Sequence, residues 1–501
     1  MTGLPRSWAI AQLAEICQIE MGQSPPSSTY NTDGVGLPFL QGKGEFGELY
    51  PTPAKYCSSP SKIARARAVL LSVRAPVGPT NITLNECCIG RGLAAISPLG
   101  DISVRFILWA LRNHEPELAK SGTGSTFAAI SKAQVVSIPI TLPPLNEQCR
   151  IIERIESLFE KIDRGVESLR AAKNGIALYR QSLLKSAFEG RLTADWRAHN
   201  PDKLESPDAL LDRIREERES RYQAALEEWK QANAEWRKGG KNAKRPRKPK
   251  RPRAIPIRPT SICPHGWMTV PLGLTIVDPI YGTSKKCGYG LGATSVLRIP
   301  NIRLGYIDPS DLKSATFDEK ESAKFSLQEG DVLIIRSNGS LSIVGKPAIV
   351  LRQHTAYLFA GYIIRIRPIS GSILPKYLLY LMMEPNVRVQ IETKAKSTSG
   401  VNNISAKELQ ELNVPICSPA EQAELVRLLD TRLEAAELLD REIDANLARA
   451  DALRQSILRK AFAGQLVPQD PDDEPASALL ERIQAGRAKT PARRRRARVA
   501  A

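Results

Sequence analysis

The sequence predicts an α+β protein: two globular mixed α/β domains separated by two long antiparallel coiled-coil helices, arranged as an internal pseudo-twofold repeat. Three observations predict this class. A long helical pattern that opens at Asn146-Glu147-Gln148 returns 274 residues later at Ala420-Glu421-Gln422. Both copies carry an apolar seam in alternating steps of three and four, the spacing of a coiled coil. The two stretches outside the helices instead show strand-like runs broken by dense Gly, Pro and Ser.

The first globular domain spans 1–141, with strand-like runs at 68–73 and 93–97 and a short helix expected at 104–113. Pro143-Pro144 leads out of it into a first helical region, 142–236. Its seam runs Ile155, Phe159, Ile162, Val166, Leu169, Ile176, Leu183, Ala187, and the helix closes at Gly190, a residue suited to a left-handed cap. A second helix follows at 209–214 and continues through Tyr222, Trp229 and Trp236, seven residues apart, as a packed helical face would be. A basic linker, 237–260, comes next, and its Lys/Arg/Pro-rich stretch 241–253 is expected to be extended and unfolded.

The second globular domain, 261–416, has runs at 332–336, 348–351 and 362–366 and a short helix at 375–383. The second helical region, 417–485, repeats the seam as Leu429, Leu433, Ala436, Asp440, Ile443, Ala450, Ile457 and Ala461, and closes at Gly464. Asp440 interrupts it, though Leu439 beside it could serve instead, and Lys173 and Arg180 interrupt the first copy, with Ala172 and Tyr179 adjacent. A helix at 478–483 mirrors 209–214, and a basic tail, 486–501, ends the chain. A helix of about 45 residues is roughly 65–70 Å long. Neither copy is stable while exposing such a seam, so the two are expected to pack together, antiparallel. That arrangement inverts two similar domains about a pseudo-twofold axis.

Composition fits a soluble globular chain of several domains, with 42% hydrophobic and 25% charged residues in 501. No apolar run spans a bilayer and residues 1–19 lack a secretory pattern, so a cytoplasmic protein is expected with no membrane partner. The eight cysteines form no C-x-x-C pair and only four histidines accompany them, which argues against a metal site. Residues 237–258 hold eleven Lys or Arg and residues 485–501 hold seven, with no acid in either, which together make the whole net charge of +18. The remaining globular parts are mildly basic and the helical parts acidic. This permits nucleic-acid binding without requiring it.

No catalytic motif is found. Residues 339–346 imitate a phosphate loop, but the spacing is one residue too long and Pro347 stands where Ser or Thr should hold magnesium. Gly122-Thr123-Gly124 lacks the third glycine of a dinucleotide fingerprint. The Asn-Pro-Pro-Tyr type of tetrapeptide is absent, and Asp311-Leu312-Lys313 lacks the upstream acidic partner of a nuclease.

The motifs together resemble the specificity subunits of Type I restriction–modification systems. The resemblance rests on Leu142-Pro143-Pro144-Leu145-Asn146-Glu147-Gln148 and on Tyr179-Arg180-Gln181-Ser182-Leu183-Leu184 with Ala187-Phe188-Glu189-Gly190-Arg191-Leu192-Thr193. The second domain adds Tyr281-Gly282-Thr283-Ser284, Leu297-Arg298-Ile299-Pro300-Asn301-Ile302, Gly330-Asp331-Val332-Leu333-Ile334 and Asn338-Gly339-Ser340. The first matches more loosely, through Gly22, Ser24-Pro25 and Gly122-Thr123-Gly124-Ser125-Thr126. The resemblance implies two target-recognition domains that read a bipartite site on double-stranded DNA. It implies a non-catalytic scaffold for two methylation subunits and for motor-nuclease subunits. S-adenosylmethionine, ATP and Mg would sit on those partners, with no cofactor in this chain. A coiled-coil adaptor with protein- or glycan-binding domains is the alternative.

Base reading needs Arg, Lys, Asn, Gln, Ser or Thr in a groove, and other side chains on phosphates. Candidates in the first domain are Lys43, Arg74, Arg91, Thr123, Ser125, Thr126 and Lys132. In the second they are Lys285, Arg336, Asn338, Lys346, Ser397, Thr398, Ser399, Asn402 and Asn403. Asn338-Gly339 is equally a hairpin-turn signal.

Overall fold

A computed structural model of the chain describes residues 3–121, 129–238, 245–249, 251, 263–396 and 400–489. The chain divides into two compact units, Met1–Ala171 with Ile443–Ala501, and Ala172–Glu442. Each unit holds one globular domain and a stretch of both long helices.

In the first unit, strands Cys17–Met21, Leu93–Pro98, Val69–Ser72 and Thr80–Ile82 form an antiparallel sheet in that order. The strands at its centre are buried on both faces. Val69, Leu71, Ala94 and Ile96 point into a core shared with Phe106 and Trp109 of helix Val104–Ser121, whereas Leu70, Leu93 and Ala95 point into a second cluster with Leu40 and Ile89. The period of two divides one strand between two cores. Leu40 and Ile89 belong to a second, five-stranded sheet, in which Leu37–Leu40 and Cys87–Ile89 run parallel. A two-stranded clasp, Ala9–Gln12 against Pro139–Leu142, brings the two ends of the domain together.

The second unit repeats this plan. The sheet order is Ile276–Tyr281, Ile363–Pro368, Val332–Ile335, Pro347–Ile349. Val332, Ile334, Ile364 and Ile366 face one core, and Leu333, Ile335 and Ile363 the other. Strand Thr294–Leu297 lies parallel to Leu358–Phe359 in a three-stranded second sheet. The clasp recurs with matching register, Met268 opposite Ile416 as Ala9 is opposite Leu142. The expected runs at 68–73, 93–97, 332–336 and 362–366 are thus central strands. The second sheets are built from strands of two to four residues, which present no pattern to a sequence reading.

The long helices are Leu145–Phe188 and Pro419–Phe462, 44 residues each. In both units they run antiparallel. In the first unit Thr141 Oγ1 donates to the Phe462 carbonyl and Arg454 pairs with Asp163. In the second, Arg180 pairs with Asp440, and Leu183 and Ala187 share a core with Leu425 and Leu429. The seam positions Ile155, Phe159, Val166, Ile176, Leu183 and Ala187 are buried, as are Leu429, Ala436, Ile443, Ile457 and Ala461. The three charged interruptions meet each other: Lys173 Nζ lies 3.9 Å and Arg180 NH1 3.2 Å from the Asp440 carboxylate. The substitutes proposed from sequence do not replace them, because Leu439, Ala172 and Tyr179 all face solvent. Ion pairing across the helices, two cations on one carboxylate, takes the place of apolar packing in that layer.

The repeated Glu-Gln pair at each helix start is an anchor. Glu147, almost fully buried, accepts from Trp8 Nε1 at 2.9 Å and Gln469 Nε2 at 2.6 Å. Glu421, fully buried, accepts from Trp267 Nε1 at 2.8 Å, Thr193 Oγ1 at 2.6 Å and the Arg197 guanidinium. Each globular domain is therefore tied both to one long helix and to the turn that follows the other. Gly190 and Gly464 have φ of 72° and 71°. A Cβ at Gly190 would press on Pro264 and one at Gly464 on Pro5, so both the left-handed turn and the close approach require glycine there.

Helices Pro207–Lys238 and Ala476–Lys489 follow these turns. Arg245, Pro246 and Lys248 of the basic stretch meet the first of them. Trp229 Nε1 donates to the Pro246 carbonyl at 3.0 Å, and Arg245 and Lys248 each sit 5.9 Å from the ring centres of Trp236 and Trp229. The aromatic stripe is thus covered by the linker; the rest of 239–262 lies outside the described residues.

Candidate nucleic-acid interface

The candidate side chains of the second domain converge where its central strands end. Strand Ile276–Tyr281 ends at Tyr281, and Gly282 beyond it runs so close to the neighbouring chain that a Cβ would strike the Phe359 and Ala360 carbonyl oxygens. Strand Val332–Ile335 delivers Arg336, whose N–H donates to the Tyr362 carbonyl at 2.9 Å and whose carbonyl accepts from Ile404 N at 2.8 Å. Ser337–Asn338 then pairs with Asn402–Asn403. Arg336 Nε donates to Asn403 Oδ1 at 3.0 Å, and its guanidinium lies 4.4 Å above the centre of the Tyr281 ring. The Tyr281 hydroxyl in turn accepts from Ala406 N at 2.7 Å. Arg336, Asn338, Asn402 and Asn403 therefore form one cluster around Tyr281.

Turn chemistry takes up part of this set. Asn338 Oδ1 accepts from Ser340 N at 2.9 Å, and Asn402 Nδ2 donates to the Gly339 carbonyl at 3.0 Å. Lys346 adjoins the cluster through its backbone, its carbonyl accepting from Ile335 N at 3.2 Å. Lys285 is drawn away: its ammonium lies 2.8 Å from Glu321 and 5.0 Å from the Phe317 ring centre, and it holds the Glu321 carboxyl below the usual range. Ser397, Thr398 and Ser399 lie outside the described residues.

In the first domain the corresponding place is built from adjoining loops. Val73 N donates to the Gly92 carbonyl and Gly90 N to the Leu40 carbonyl, which sets Arg74, Arg91 and the turn carrying Lys43 beside one another. Arg74 is bridged to Ala129, as Ser337 is to Asn403, and Lys132 opens the helix Lys132–Val136 just beyond. Lys43, Arg74, Arg91 and Lys132 are all exposed. Thr123, Ser125 and Thr126 lie outside the described residues.

Sequence reasoning missed Tyr281 and Tyr362 as parts of this surface. Tyr362 is 64% exposed directly beside Arg336, and Tyr281 forms the platform beneath it. The one signal in the sequence was an aromatic opening the Tyr281-Gly282-Thr283-Ser284 motif. The enzyme-like fragments are engaged otherwise. Asp311 accepts from Tyr289 at 2.8 Å and Arg298 at 2.9 Å, and residues 341–343 of the imitation phosphate loop form a single 3-10 turn.

Residues 5–168 and 294–447 match the family described as Type I restriction modification DNA specificity domain. The specificity subunit of the type I restriction enzyme EcoKI of Escherichia coli K12 is 25% identical over 510 residues, covering 97% of this chain and 96% of that protein. A Methanocaldococcus jannaschii protein, provisionally named the MjaX type I restriction enzyme specificity subunit, is 40% identical over 192 residues. That match spans only 38% of this chain and 44% of the relative's length. A solved structure from work on complex assembly and conformational transition of the type I R-M system shares the fold. Its TM-score is 0.63 at 18% identity, covering 93% of this chain and 100% of that one.

Proposed function

Because the chain belongs to the Type I restriction modification DNA specificity family, we propose that it is the subunit that chooses the DNA sequence for a Type I restriction–modification complex. It reads a bipartite target, one half through each globular domain, and scaffolds two methylation subunits and the motor-nuclease subunits. The chain itself is non-catalytic; S-adenosylmethionine, ATP and Mg belong to the partners, and the assembly works in the cytoplasm. One observation carries this reading. The fold is duplicated down to the register of its clasps, yet the equivalent strand ends bear different side chains: Val73-Arg74 in one domain and Arg336-Ser337 in the other. A shared frame with divergent tips suits two modules that read different half-sites. Among the described residues no helix is long and apolar enough to cross a membrane.

The test is a DNA-binding titration across salt concentrations, together with methylation-sensitive sequencing of DNA from cells carrying the complete system. A steep salt slope and a split methylated motif are expected. A flat slope would instead fit an adaptor that binds proteins or glycans.

A further inference from the structure

We propose that Arg336 reads a guanine through the major groove, as a specificity-determining residue of the second domain; this rests on the DNA-reading function above. The guanidinium is held on two sides before any ligand arrives. It sits over the Tyr281 ring, and its Nε is tied to Asn403 Oδ1 at 3.0 Å. The backbone on which it stands is bonded through both N–H and C=O, to Tyr362 and Ile404. What remains is the outer edge. Neither NH1 nor NH2 meets an acceptor among the described residues. Other arginines of the domain have their NH groups engaged: Arg298, Arg303, Arg367 and Arg388 on carboxylates, and Arg365 on the Ser326 carbonyl.

Two parallel N–H donors in a rigid plane call for two acceptors on one edge. Guanine offers O6 and N7 there, whereas adenine pairs its N7 acceptor with an N6 donor that would oppose the second N–H. A phosphate could also take the fork, but contacts that only position the duplex would be kept in both halves of a duplicated fold. They are not kept. Val73 occupies the equivalent place in the first domain: its N–H makes the bond to Gly92 that Arg336 makes to Tyr362, and its side chain is buried. The side chain at this spot is specific to one half, as a base contact should be.

The experiment uses the full chain assembled with its methylation subunits. Arg336→Lys keeps the charge and can keep the stack on Tyr281, but loses the planar fork; Arg336→Ala loses both. Both variants are expected to relax the methylated motif at a single G·C pair in the half-site of the second domain. The other half-site and the gap should stay unchanged. Competition binding should show discrimination at that pair falling between roughly fivefold and a hundredfold, the range for a bidentate contact. Tyr281→Leu should weaken discrimination at the same pair by less. A motif unchanged in Arg336→Lys and Arg336→Ala overturns the assignment, as does an equal loss of affinity for every sequence, the mark of a phosphate contact. A wild-type complex with no sequence preference would remove the DNA-reading function together with this assignment. A sequence-specific wild type with unaltered variants would remove the assignment alone.

Discussion

Glu421 shows how much of this fold hangs on single side chains. Its fully buried carboxylate accepts from an indole, a hydroxyl and a guanidinium that come from two separate segments, that of Trp267 and the turn holding Thr193 and Arg197. Glu421→Ala leaves Arg197 charged and nearly buried, and Trp267 Nε1 without its acceptor. Such a break costs about 3–5 kcal/mol. Chemical denaturation of the variant should show that loss, and a cost below about 1 kcal/mol would mean that the cluster is not the anchor described. Asp473 supplies a pH-dependent counterpart in the first unit. The Arg150 hydrogen bond, at 2.6 Å, holds its carboxyl below the usual range despite burial. Since the folded value lies under the unfolded one, about 3.9, its contribution is present above that pH and is lost as pH falls through the folded value. Wild type should therefore lose stability below about pH 4 more steeply than Asp473→Asn, the two converging in strong acid. Neighbouring Glu147 is raised by burial, with a smaller push from Asp473, and has the opposite sign, so the difference between the two proteins reads Asp473 together with its effect on Glu147. Parallel curves would refute the linkage. The sequence marked Glu147 and Glu421 as a repeated pair, but not their partners. Trp8 lies 139 residues from Glu147, and Asn403 lies 67 residues from Arg336. Such pairings leave no local periodicity, which is why the candidate site was legible as scattered polar residues and not as a cluster around Tyr281.

At the scale of elements, legibility followed the strength of the repeating pattern. The long helices were readable because the 3–4 seam and the closing glycine are local signals that persist over 44 residues. The seam's imperfections were readable as positions, but their resolution was not: that Lys173, Arg180 and Asp440 face one another follows from antiparallel pairing. A single charged layer of this kind discourages slippage, since sliding either helix would separate the charges and set them against apolar neighbours. The basic stretch was legible only as composition. Its folding back on Trp229 and Trp236 depends on a helix face that presents both aromatics to it. Deleting 241–253 removes eight Lys or Arg. The expected result is weaker DNA binding with an unchanged methylated motif, because phosphate contacts position while base contacts specify. For every phosphate that the shortened chain leaves unneutralised, the slope of log affinity against log salt should fall by about 0.9. A changed motif would show that the linker takes part in reading.

For the whole molecule, the clasps define what can be exchanged. Each globular domain begins and ends in one two-stranded ladder, Ala9–Gln12 with Pro139–Leu142 and Met268–Pro271 with Asn413–Ile416. The polypeptide between the two strands of a clasp can therefore be replaced without disturbing the buried glutamate that ties the helix start to its tryptophan. Replacing 272–412 with the equivalent segment of another family member should change one half of the target and leave the other half and the gap intact. The long helices offer a separate handle, because each contributes residues to both units. Four residues inserted within 165–177 add about 6 Å and rotate the downstream half of the helix by only about 40°. The seam can then re-form one turn on, so folding should survive. If helix length sets the distance between the reading domains, the gap in the methylated motif should grow by one or two base pairs, at about 3.4 Å each. Sequencing of methylated DNA measures both outcomes in one experiment. Domain exchange that altered both half-sites would deny the independence of the readers. A lengthened helix that kept the original gap would show that something other than the helices sets the spacing.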